Sequence, residues 1–305
     1  MQQNLPPKLP VVPEYITVHL GKPNENAPNI QVPFPEYIKN VASSEIYPTW
    51  PEAALRANIY AQISYALTRV YTEWYRSKGY DFDITSSTQF DQAYIPGRDI
   101  FENISDIVDE IFNDYLVRNG RVEPLFAQFC SGTNVTCPGL SQWGTVNLAN
   151  KGYTPAEILE NYYGTDISFV TDAPVQNIEE SFEGFDLTLG SSGNSVYSVQ
   201  MQLNRIRQNF PAIPRIPEEN NVYGVETEAA VRVFQEVFNM PVTGVVDKAT
   251  WYRIKEIYNS VKRLGDLESE GIRLEEVTPV FPDRLEEGDT GVPVTTIQYL
   301  SLIHI

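Results

Sequence analysis

Apolar residues recur along this chain at two spacings, and each change of spacing marks an element. Residues 14–20, EYITVHL, alternate apolar with polar side chains and are rich in β-branched residues, which predicts a strand; residues 29–34, NIQVPF, predict a second. Ile38, Val41 and Glu45 then stand three and four apart, so they share one face of a short helix whose apolar side points inward. In the stretch 41–51, VASSEIYPTWP, Glu45 is the one charged residue. A carboxyl group held against apolar walls resists ionising, so it can keep a proton near neutral pH, as a general acid must. The plainer alternative is a glutamate in the last turn before Pro48 that points at solvent.

Two longer helices follow. Thr49 and Glu52 are spaced as a capping box, and Leu55, Ile59, Ile63, Ala66, Val70 and Trp74 mark one buried stripe. Ile100, Ile104, Ile107, Ile111 and Tyr115 mark another, widened by Phe101, Val108 and Phe112. The polar connection between them, 79–99, is long for an ordinary loop and is a candidate binding loop. Asp81 and Asp83 within it are expected to shape a turn. VEPLFAQFC, 122–130, predicts a strand, and 137–164 predicts two short helices, the second opened by Thr154, Pro155 and Glu157 and closed by Gly164. The acidic stretch 171–188 lacks periodicity and predicts a linker.

The rest contains a repeat. LGSSGNSVYSVQMQL, from Leu189, returns as EGDTGVPVTTIQYL, so that Gly190, Gly193, Val196, Val199 and Gln200 correspond to Gly288, Gly291, Val294, Ile297 and Gln298. Val196, Val199 and Leu203 form one helical stripe, and Ala230, Val231 and Phe234 another. The second copy stops after its first helix, from which the natural protein is expected to continue past Ile305.

Composition narrows the chemistry. With 305 residues, 42% of them hydrophobic and 12% aromatic, the chain can bury two cores. A net charge of -18, from 40 acidic and 22 basic residues, makes nucleic acid and anionic membranes poor partners. No segment is apolar for the roughly 18 residues of a membrane span, and the first residues show neither the basic start nor the apolar core of an export signal. His19 and His304 are the two histidines, so a nucleophile–histidine pair would have to use His19 alone, and neither a metal nor a cofactor is expected. Chemistry here is expected to run on carboxylates. Cys130 and Cys137 leave a disulfide, free thiols and a metal site open, and the NVT between them matches a glycosylation sequon.

Several of these segments resemble known families. EYIKNVASSEI, the helix AALRANIYAQISYAL, the loop TQFDQAYIPG and GLSQWGTVNLANKGYTPAEILENYYG resemble the SpoIID/LytB domain of the stage II sporulation protein D family, over residues 14–170. VYGVETEAAVRVFQ, with Gly224, Thr227, Ala230, Val231, Phe234 and Gln235, and PVTGVVDKATW, with Gly244, Asp247, Thr250 and Trp251, resemble the small helical peptidoglycan-binding domain. The fold so implied is α+β: an extended lead-in (1–13), a mixed α+β domain (14–170), the acidic linker (171–188), a three-helix domain (189–264), a second linker (265–284) and an incomplete second repeat (285–305).

The resemblance implies action on bacterial peptidoglycan, at the cell wall or spore envelope. Glu45 stands where catalytic relatives carry the acid/base of a lytic transglycosylase, which cuts the MurNAc–GlcNAc bond without water. One carboxyl suffices for that route, whereas hydrolases generally need two. Gln92 and Tyr94 in the long loop, and Ser141, Gln142 and Trp143 in GLSQWG, are candidate substrate contacts, each with a plainer role as solvated, capping or core residue. The helical domain is expected to tether the enzyme to glycan strands. The chain departs from the family where Arg-Thr-Tyr is usual, carrying Ile63, Ser64 and Tyr65, and Asn58 replaces the usual Gln. The competing expectations are a wall protein whose domains only bind glycan or modulate other wall lytic enzymes, and a structural protein of a spore or envelope layer.

Overall fold

The structure, a computed structural model, describes residues 10–277. The second copy of the repeat, 285–305, lies outside the described residues, as do 1–9 of the lead-in and 278–284 of the second linker. In chain order the elements of the first half are β1 (Val12–Pro13), β2 (Tyr15–His19), β3 (Asn29–Pro33), α1 (Phe34–Glu45), α2 (Glu52–Tyr71), β4 (Ile84–Thr85), α3 (Glu102–Ile111) and β5 (Tyr115–Arg118). They continue with β6 (Phe129–Cys130), β7 (Leu140–Ser141), α4 (Gln142–Ala149), α5 (Pro155–Tyr163), β8 (Ile167–Val170) and β9 (Val175–Gln176). Three helices follow: α6 (Asn194–Ile206), α7 (Val225–Val237) and α8 (Lys248–Val261). The architecture is mixed α+β followed by a helical unit.

The alternation in EYITVHL buries Ile16 and Val18 and leaves Tyr15 exposed. β2 pairs antiparallel with β3, Thr17 opposite Gln31, and parallel with β4. Its last residue, His19, is buried, with Nδ1 2.7 Å from Asn29 Oδ1 and its ring stacked on Phe82. On α1, Tyr37, Ile38 and Val41 face the core, and the helix ends at Glu45 because Ile46 turns extended.

α2 is the axis of the first domain, and it corrects two expectations. The capping box is not formed: Pro51 occupies the cap position, so Thr49 lies two residues too early, and Glu52 pairs instead with Arg56 at 2.7 Å. Burial is not confined to a stripe. Ile59 and Ile63 pack in a core shared with α1, β2 and α3, while Ala57 and Ala61 pack in another against α5. A helix covered on all sides must bury its polar residues too, and Asn58, Gln62, Ser64, Thr68 and Arg69 are interior. Trp74 lies beyond the helix end.

The second helical pattern overran as well. Ile104, Ile107, Val108 and Ile111 form the buried face of α3, but Ile100 is exposed before it and Tyr115 opens β5. A turn closed by Asp114 N–H on Ile111 O separates them, so the fourfold spacing continued by coincidence. β5 pairs antiparallel with β8. Of VEPLFAQFC only Phe129–Cys130 is a strand, paired in parallel with β7; Pro124 cannot donate to a ladder, and the preceding residues are buried by irregular backbone bonds such as Leu125 N–H to Leu116 O. The two helices after it form as expected, with the Thr154–Glu157 capping box in place and Gly164 closing α5 at φ 92°. Cys130 and Cys137 form a disulfide.

In the helical unit, Val196, Val199 and Leu203 meet Ala230, Val231 and Phe234, with Ile254 and Tyr258 of α8 completing the core. The two units are clasped together. Val175–Gln176, in the acidic segment, pairs in parallel with Val12–Pro13. Six residues on, Ser181 N–H and Oγ–H both donate to Glu73, a buried carboxylate just past α2. Lys255 of α8 forms an ion pair with the same carboxylate, Trp251 Nε1 donates to Ser181 Oγ at 2.9 Å, and Asn259 Nδ2 donates to Thr72 O at 2.9 Å. After α8 the chain returns to the first domain: Gly265 lies against Trp74, and Val122 N–H donates to Ile272 O while Ile272 N–H donates to Glu123 Oε2.

Because one carboxylate joins α2, the acidic segment and α8, Glu73→Ala leaves the Lys255 ammonium without its partner. The expected loss is about 3–5 kcal/mol, read by calorimetry as a lower Tm, with the parent chain melting both units in one transition.

Candidate active site

The long loop between α2 and α3 is held by Asp91. Its side chain is fully buried and accepts from Arg69 Nε at 2.8 Å, Tyr65 Oη at 3.2 Å, Tyr75 Oη at 2.6 Å, and Thr85 N and Oγ1 at 3.0 and 2.7 Å. The Arg69 guanidinium is in turn packed among Tyr65, Trp74, Tyr75 and Phe126. A buried ion pair persists when hydrogen bonds complete both partners, and here they do. The consequence is positional: the next two residues, Gln92 and Ala93, are delivered to α1.

There Glu45 receives them. Its Oε1 accepts from Ala93 N–H at 2.8 Å; its Oε2 accepts from Gln62 Nε2 at 3.1 Å and Gln142 Nε2 at 3.3 Å. Burial raises its pKa and these three donors lower it, leaving the carboxyl pushed up to about 7. Burial prevails because the three donors are all neutral. The residue keeps partial access to solvent. The inward-facing reading of Glu45 is therefore the one observed.

The other candidates divide. Gln92 is 0% exposed and committed at both ends, accepting from Tyr37 Oη at 2.9 Å and donating to Gln62 O at 3.0 Å. That placement makes it a brace for Gln62 and the loop. Tyr94 is half-buried and stacks on Tyr37 at 5.7 Å. Ser141 caps α4, its Oγ accepting from Gly144 N at 3.0 Å, and so aims the first turn of that helix. Gln142 is the candidate that touches Glu45 directly. Trp143, whose plainer role is a core residue, is 41% exposed beside Trp50 and Tyr47. Gly144 lets α4 come this close to α5, since a Cβ there would stand 2.0 Å from Tyr162 Oη.

Sequence reasoning passed over Gln62, Asp91 and the Ala93 amide. A signal was present for the first: Asn58 and Gln62 are polar residues four apart, so they share one face of α2. Asn58 Nδ2 donates to Ala54 O and to Thr145 Oγ1 at 2.8 Å, linking α2 to the helix that carries Gln142. Ile63 packs in the core.

Comparison with known families bears on both units. Residues 25–111 match the family described as stage II sporulation protein, SpoIID, and residues 192–254 match the putative peptidoglycan binding domain. The chain joins a SpoIID domain to a peptidoglycan-binding domain. It is a cell-wall-acting protein, associated with the wall or spore. No curated protein matches the chain. Glu45, Gln62, Asp91 and Ala93 lie inside the SpoIID match, whereas Gln142 and Trp143 lie beyond it. No helix among the described residues is long and apolar enough to cross a membrane.

The SpoIID-domain carboxyl gives a stability signature. A pKa raised from near 4.5 to about 7 means that the unfolded chain ionises first, so folding stability falls as pH rises through that window and stays lowered above it. Glu45→Gln removes this cost. The variant is expected to be more stable than the parent at pH 8, by up to about 3 kcal/mol, and equal to it at pH 4. Glu123, also pushed up to about 7 by burial, is present in both chains, so the difference measured by calorimetry isolates Glu45.

Proposed function

We propose that this chain is a lytic transglycosylase that cleaves the MurNAc–GlcNAc bond of peptidoglycan strands, with Glu45 as its acid and base. The observation that carries the reading is a single carboxyl, on a residue that keeps partial access to solvent, its pKa raised towards neutrality by burial while neutral donors hold it. Asp91, the loop carboxylate two residues before the Ala93 amide that Glu45 accepts from, cannot serve as a second catalytic carboxylate, because it is sealed and already accepts from five donors. Hydrolysis generally needs two opposed carboxyl groups to activate water or form a covalent intermediate.

The water-free route needs one. Protonated Glu45 gives its proton to the glycosidic oxygen as that oxygen leaves C1 of the muramic acid. The resulting carboxylate then takes the proton of the same sugar's 6-hydroxyl, whose oxygen closes on C1 to form the 1,6-anhydro ring. The Ala93, Gln62 and Gln142 donors stabilise the carboxylate between the two steps. The second domain binds the wall, and its clasp to the first presents the strand at a constant orientation rather than from a loose tether. The disulfide fits an oxidising compartment, as exposure at the wall or spore surface would provide.

One observation favours a second reading. Ile63, where the resemblance leads one to expect an arginine, packs in the core, and among the described residues the donors that reach Glu45 are all neutral, which suits a wall protein that binds glycan or modulates another lytic enzyme.

Mass spectrometry of sugars released from peptide-stripped peptidoglycan decides between them. Anhydro-muramic products are expected from the parent and not from Glu45→Gln. If neither chain releases them while both sediment with the glycan, the binding reading replaces the catalytic one. The rate of release is expected to fall as pH rises through about 7, since the acid form of Glu45 is lost there.

A further inference from the structure

Beside Glu45 three aromatic rings cluster, and the fold does not require the exposure of two of them. Trp50 is 8% exposed and suffices to close the core at this corner, but Tyr47 and Trp143 are 56% and 41% exposed. The rings touch: Trp50 and Trp143 lie 4.9 Å apart edge to face, and Tyr47 lies 5.7 Å from each. Their supports are rigid. Trp50 N–H donates to Tyr47 O at 3.0 Å, and Asn103 Nδ2 donates to Pro48 O at 2.8 Å, fixing that turn against α3. Trp143 sits in the capped first turn of α4, and its N–H donates to Ser131 O in the loop closed by the disulfide.

The site is continuous with the acid. Tyr47 is two residues beyond Glu45, and Trp143 follows Gln142, whose amide reaches the Glu45 carboxyl. We infer that Tyr47 and Trp143, backed by Trp50, form a stacking subsite for an N-acetylhexosamine ring of the glycan strand. A pyranose whose substituents are equatorial exposes a face of C–H bonds that packs on aromatic faces, while its rim of hydroxyl and amide groups stays solvated. The three rings carry no charge, and the chain as a whole is strongly acidic, so a neutral sugar suits the site better than a polyanion. The inference rests on the glycan-cleaving reading and adds the residues that place the sugar.

The test uses the full chain carrying Glu45→Gln, so that no ligand is consumed, titrated calorimetrically with chitopentaose. Adding Tyr47→Ala or Trp143→Ala is expected to weaken Kd about fivefold each, and the pair roughly twentyfold, with Tm little changed because both residues stand at the surface rather than in the core. Phenylalanine at either position is expected to restore most of the affinity. Unchanged affinity in the alanine variants, or no binding of chitopentaose to the starting chain, overturns the subsite. In chains that keep Glu45, the alanine pair is expected to raise KM with little change in kcat. Release of anhydro products at the parental KM by that pair refutes the subsite while leaving the catalytic reading standing. Absence of release from the parent as well, with chitopentaose still bound through the rings, refutes the catalytic reading alone.

Discussion

The ion pair between Asp91 and Arg69 is the interaction on which the site depends. A loop of some twenty residues has no reason to hold one conformation by itself, because its own apolar content is too small to offset the entropy of ordering. Burying one carboxylate within it, and satisfying that carboxylate from α2, from Tyr75 just past that helix and from β4, fixes the loop at a point one residue before Gln92. Everything that reaches Glu45 from the loop follows from that anchor. The energetic logic is asymmetric: the assembled pair adds modest net stability, whereas losing either partner would strand a charge in the core.

The same physics, with the opposite outcome, operates 46 residues earlier in the chain at Glu45. Asp91 has five donors, one of them a cation; Glu45 has three neutral donors, two of them at 3.1 Å or longer. Both carboxyl groups are desolvated, but only the first is fully compensated. A carboxyl that is supported too weakly to ionise freely, yet well enough to survive ionised, can lend and recover a proton at neutral pH. The two buried amides of Gln62 and Gln142 supply that intermediate support.

The domain arrangement limits how the wall-binding unit acts. Glu73, Ser181 and Lys255 make a three-way contact, and the segment after α8 folds back to pair with Val122 and Glu123. Segments that composition alone presents as linkers are thus part of the interface, and the two cores share neighbours: Tyr71 and Val122 of the first domain pack with the helices of the second.

Much was legible in the sequence. Alternation in EYITVHL, the α5 capping box, the paired stripes of α6 and α7, and the apolar setting of Glu45 are local, and local sterics and burial decide them. Where the reading overran or fell short, the deciding contacts were distant. A helical period carried through Asp114 into Tyr115, because spacing cannot show where a backbone turns; β5 needed β8, some fifty residues on, to become a strand. Gln62 appeared as an ordinary helix residue until α1, α4 and the loop closed around it. The sequence by itself determined which elements form and which carboxyl group is set among apolar neighbours. Only the tertiary structure decided how strongly that carboxyl is supported, since a pKa depends on donors and burial contributed by segments far apart in the chain.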